Sequence, residues 1–120
     1  MKNYYFSLIL FFTVCLTAAV ANSLASSEIN RYIAALNLFS NITTITDSDR
    51  NRIADLKYEF ENKKNMLRLI ISKEHINNIE TNILLIENNI KNDSIEDIQS
   101  KSLESIAILK QIKEYLVAVN

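Results

Sequence analysis

Not one of the 120 residues is glycine or proline. Tight turns, phosphate-cradling loops and β-hairpins rely on glycine for backbone with φ > 0. Architectures that need such turns are therefore disfavoured, whereas long helices need neither residue. The chain is expected to be all-α. Its length suits one domain. Without the apolar stretch at its N-terminus, about 95–100 residues remain to build a single modest core.

That stretch follows a short basic start, Met1-Lys2-Asn3. No residue from Tyr4 to Ala21 is charged, a run of roughly 18 residues that just suffices to cross a hydrocarbon core. The next charge is Glu28. Lys2 held on the cytoplasmic side directs the remainder outward. Two fates compete. Ala19-Val20-Ala21 before Asn22-Ser23 reads as a signal-peptidase site, with Ser23-Leu24-Ala25 as a weaker second. Against cleavage, the run is long for a signal peptide and nothing stops its helix from continuing past Ala25. Residues 1–21 are thus a signal anchor or signal peptide, and residues 22–120 an extracytoplasmic helical body. The body sits outside a single-pass anchor in the cytoplasmic membrane or is secreted after cleavage near Ala21. The lone cysteine, Cys15, lies inside the apolar run as a small hydrophobe. Thr13-Val14 before it do not suit a lipoprotein site. The body therefore has no thiol for a disulfide, metal or nucleophile.

Within the body, Leu24, Ile29, Tyr32, Ile33, Leu36 and Phe39 recur at helical steps and form one apolar stripe. A polar stretch, residues 40–49, follows, in which Thr46, Asp47 or Ser48 can cap the next helix. Ile53, Leu56, Phe60, Leu67 and Ile70 resume the pattern. Ile76, Ile79, Ile83, Ile86 and Ile90 then step by three and four, as in a heptad seam. The phase changes between Ile71 and Ile76, which a helix passes with a twist or bend. One long helix is expected over about 48–91, bent if anywhere near Ser72. Asn92-Asp93-Ser94 ends it, and a capping box there, Ser94 with Asp97 or Asp93 with Glu96, starts the last helix. That helix carries Ile95, Ile98, Leu103, Ile106, Leu109, Ile112, Leu116 and Val119. Glu59/Lys63, Glu87/Lys91 and Asp97/Lys101 lie one turn apart with the acid first. Short connections favour antiparallel neighbours. The fold class is thus an N-terminal membrane or signal helix, a long helix and an antiparallel C-terminal helix, in a helical hairpin or three-helix bundle.

The run Ile70-Ile71-Ser72-Lys73-Glu74-His75-Ile76-Asn77-Asn78-Ile79-Glu80, the polar break at Asn92-Asp93 and the closing helix resemble a family of short exported bacterial proteins. It is catalogued as domain of unknown function 4363. A histidine followed by an Ile-Asp/Glu pair lies midway along the long helix of that family. The matching positions are His75, Ile79 and Glu80. This chain departs from the pattern in having no tryptophan and in carrying Asn where acidic residues are common. The resemblance implies export and a helical body, and no activity.

Candidate chemistry is sparse. His75, the only histidine, is the one ordinary switch near neutral pH. Its neighbours one turn away are Ile71, Ile79, Ser72 and Asn78, a poor set for zinc. A packing or hydrogen-bonding histidine at the phase change is expected, with pH sensing or a partner contact as the alternative. Glu59 with Glu61, and Glu96 with Asp97, read as solvated faces. No serine stands in a recognisable triad pattern, and glycine loops are absent. The formal net charge of −1 gives no general pull toward nucleic acid. The cluster Lys57, Lys63, Lys64 and Arg68 is interleaved with acids. No enzyme, cofactor, metal or small-molecule substrate is therefore indicated. The expected partners are the membrane, through residues 4–21, and another membrane protein or a second copy. The seam Ile76, Ile79, Ile83, Ile86 and Ile90 is the candidate surface for the latter.

Overall fold

The computed structural model describes residues 2–119; the side chains of residues 2, 3, 21 and 117–119 lie outside what is described. Ala21 of the cleavage site and Val119 of the last stripe fall there. The described residues form four helices and no strand: α1 (Lys2–Ser40), α2 (Asp47–Leu67), α3 (Lys73–Lys91) and α4 (Ile95–Val119). Each packs on the next, and α4 packs on α1, which closes a ring of four. Lys57 pairs with Glu87 and Lys64 with Glu80. Moving up α2 by seven residues thus moves down α3 by seven, the signature of antiparallel neighbours. At one end, Gln99 Nε2 donates to the Ile42 carbonyl at 2.7 Å, tying the α1–α2 link to α4.

α1 has two halves of different character. Every side chain from Tyr4 to Val20 is exposed, whereas Ala25, Ile29, Tyr32, Leu36 and Phe39 are buried. The helix rises about 1.5 Å per residue, so its 39 residues carry the apolar half well beyond the body. The greatest extent of the molecule is 68 Å, against 24 and 21 Å across. The amphipathic stretch after Leu24 packs into the body, its main neighbour being α4. Leu24 itself faces outward at 51 % exposure, and Ala25 takes the inner position.

The single long helix expected over 48–91 is corrected to α2 and α3, separated by a turn at residues 68–72. The turn is closed by backbone bonds from Leu69 to Met66, Ile70 to Leu67 and Ile71 to Leu67. Ser72 caps α3 by accepting the His75 N–H. Burial is the physical reason for the break. A straight helix would leave both the Ile53–Leu67 stripe and the Ile76–Ile90 seam facing water, while folding back buries each against the other. The body therefore contains four helices where two or three were expected.

Caps replace the missing turn residues. Thr46 and Asp49 form a capping box at α2: the Thr46 N–H donates to Asp49 Oδ2 at 2.8 Å and Thr46 Oγ1 accepts from the Asp49 N–H. α3 ends with Asp93 N–H bonded to the Ile90 carbonyl and Ser94 N–H to that of Asn89. This is the Schellman arrangement, with Asp93 at φ 55 in the place usually held by glycine.

Two expectations of register also change. α4 turns Ser102 and Ser105 inward and leaves Leu103 exposed. Both serine hydroxyls donate to carbonyls one turn back, at Ile98 and Lys101, so no polar group is orphaned. Glu59 and Glu87, expected to pair along their own helices, reach across to Arg31 and Lys57. Lys101 pairs with Glu104.

Candidate functional site

The seam Ile76, Ile79, Ile83, Ile86 and Ile90 lies inside the core, each residue 0–3 % exposed. Its expected role as a surface for a second protein is corrected: α2 and α4 flank α3 and cover the seam within one chain. Asn82, also turned inward on α3, has an unpartnered Nδ2.

His75 occupies a more informative place. It is half-buried in the first turn of α3, and its ring Nδ1 is buried without a hydrogen-bond partner. Of the two expected roles, packing or hydrogen bonding, the half-buried ring fits packing, and its Nδ1 makes no hydrogen bond. The ring lines a cavity of about 390 Å³ with Ser72, Ile70, Gln111, Ile112 and Tyr115. Glu80, further along α3, is engaged elsewhere, on Lys64 at 3.0 Å. Lys64 bridges Glu61 and Glu80, and these two carboxylates, Glu61 foremost, raise its pKa above the usual lysine range.

A second, larger hollow of about 540 Å³ opens directly beside the first. Its far wall is the apolar half of α1: Thr13, Val14, Thr17 and Ala18. Its near wall, Ile70, Tyr115 and Leu116, is shared with the His75 cavity. Leu69, at the tip of the α2–α3 turn, is 85 % exposed and Tyr115 is 64 % exposed. The Thr13 and Thr17 hydroxyls donate to the carbonyls of Ile9 and Thr13, both at 2.8 Å, and so present methyl groups rather than free donors.

Sequence reasoning singled out His75 and missed the rest of this place. Leu69 and Tyr115 carried a usable signal, since neither belongs to an apolar stripe. The convergence of residues 13–18, 69–70 and 115–116 depends on the unforeseen break at 68–72.

One further polar cluster lies midway along the body. Arg31 joins Glu59 through two hydrogen bonds of 2.8 and 2.9 Å and Glu28 at 3.3 Å. Beneath it, the Tyr32 ring meets Phe60 edge-on. The Tyr32 hydroxyl and Glu28 Oε2 are buried with no well-formed hydrogen bond. Burial first, and the Glu28 carboxylate next, push the Tyr32 pKa well above the ordinary phenol range. Among the described residues, no three His, Cys, Asp or Glu side chains are grouped to hold a metal ion. Compared with family models, curated proteins and solved structures, the chain matches none.

Proposed function

We propose that this chain is a non-enzymatic helical interaction protein tethered to the cytoplasmic membrane, with its up-and-down four-helix body on the extracytoplasmic face. One observation carries the reading: a single helix, α1, changes character along its length. Its first half exposes an uncharged apolar surface on all sides, and its second half is built into the core. Burying such a surface in hydrocarbon is strongly favourable, and an α-helix satisfies its own backbone there. Lys2 at the start favours the orientation with the body outside. The layout fits the resemblance to domain of unknown function 4363. With the isoleucine seam inside, the apolar side chains left for another membrane protein or a second copy include Leu84 and Leu85 on α3 and Leu103 on α4.

The second reading, a secreted helical binding or chaperone-like protein, is favoured by one feature. Among the described side chains the first buried one is Ala25, so cleavage after Ala21 removes none of the buried side chains described. Intact masses of the native protein from membrane and culture-supernatant fractions separate the two. Full-length mass confined to membranes is the expected result. A species beginning at Asn22 in the supernatant would replace the tethered reading with the secreted one.

A further inference from the structure

We propose that the paired hollows at the base of the body hold one phospholipid from the outer leaflet, an acyl chain lying against α1 and its polar end beside His75. The inference rests on the tethered reading above and adds to it a defined lipid site.

Position along the membrane normal is the first argument. A span of about 20 residues is needed to cross the hydrocarbon core. The apolar run Tyr4–Ala21 has its midpoint between Phe12 and Thr13, so Thr13–Ala21 make up its outer half. The larger hollow is walled by residues of that stretch on one side and by Ile70, Tyr115 and Leu116 on the other. Thr13 lies about 12 Å along the helix axis from the end of the apolar run at Ala21. A bilayer that accepts α1 must therefore also reach Leu69, Ile70 and Tyr115. Exposed leucine at a turn tip and tyrosine beside it are side chains suited to that boundary.

Chemistry along the site is the second argument. The lower hollow is lined mainly by aliphatic side chains, with Thr13 and Thr17, whose hydroxyls are bonded to their own helix, and with Asn22 and Tyr115 at its polar margin. The upper one adds Ser72, Gln111 and His75, whose Nδ1 is buried and unpartnered. Apolar below and polar above is the order in which a leaflet presents acyl chain and headgroup. The two hollows share Ile70, Tyr115 and Leu116 as a wall, so a single molecule spans both. A solvent-filled apolar groove at this depth would be costly, and an acyl chain fills it.

Full-length protein is reconstituted into phosphatidylcholine–phosphatidylglycerol vesicles, floated on a density gradient, and transferred to nanodiscs for native mass spectrometry. The wild type is expected to float and to retain one phospholipid. Ala18→Trp and Thr17→Phe, which fill the groove from α1, are expected to float but lose the retained lipid. Leu38→Trp, on the outward face of α1, is expected to keep it. Protein that floats yet retains no lipid, or groove-filled variants that retain it as the wild type does, would overturn the lipid site and leave the tether standing. Protein that fails to float would overturn both.

Discussion

At Asp93 the backbone turns into the left-handed region, φ 55, where helices usually end on glycine. A side chain with a Cβ is strained there by about 1–2 kcal/mol, partly relieved for Asp and Asn. Asp93→Gly is therefore expected to stabilise the protein by about 0.5–1 kcal/mol, read as a higher denaturation midpoint with unchanged slope. Tyr32 gives a pH-dependent test. Its proton is held more tightly in the folded chain than in the unfolded one, whose phenol titrates near 10.0. Stability from this group is complete below that pH and is lost as pH rises through and above it. Tyr32→Phe should flatten the alkaline fall in stability above about pH 10, measured by denaturation across pH; an unchanged profile would remove Tyr32 as its source. The buried aliphatic positions of this chain were readable from spacing alone. The orphaned Tyr32 hydroxyl and His75 Nδ1 were not, because their surroundings are assembled from helices distant in sequence.

The break between α2 and α3 is the element that sequence reading missed. In most chains glycine or proline marks such a turn, and here neither is available. The usable signal was Ile71-Ser72 followed by Ile76: an N-cap serine with apolar residues at the two positions of a hydrophobic staple, all now in place around the α3 N-terminus. Ser72→Ala should cost about 1 kcal/mol, with Ser72→Asp restoring most of it. In α4 the apolar period was read correctly at Ile98, Ile106, Leu109, Ile112 and Leu116, yet Leu103 was placed inside in error. Buried Ser102 and Ser105 hide from any hydrophobicity pattern because their hydroxyls are satisfied by their own helix. Ser102→Leu should overpack the core and cost about 1–3 kcal/mol, whereas Leu103→Ala on the exposed face should change stability by less than about 0.5 kcal/mol. Equal effects of the two would contradict this register.

For the whole molecule, the apolar half of α1 and the helical body are separable in energy though joined in one helix. Among the described side chains burial begins at Ala25, so a chain starting at Asn22 should unfold cooperatively with nearly the stability of the full-length protein in detergent. Ile83→Ala should destabilise either form by about 2–5 kcal/mol, because the seam is core and not a docking face. The all-α class was legible from composition. The meeting of α1 with α4 was not, since nothing local in the sequence selects that pair. Hydrogen–deuterium exchange of the full-length protein in bilayers and in detergent-free buffer as the Asn22 form addresses both halves at once. Slow exchange over residues 4–20 in bilayers, together with slow exchange across the inner half of α1 and the cores of α2, α3 and α4 in both samples, is the expected result. Rapid exchange over residues 4–20 in bilayers, or loss of protection across the body without them, would contradict a self-sufficient helical body on a membrane-embedded helix.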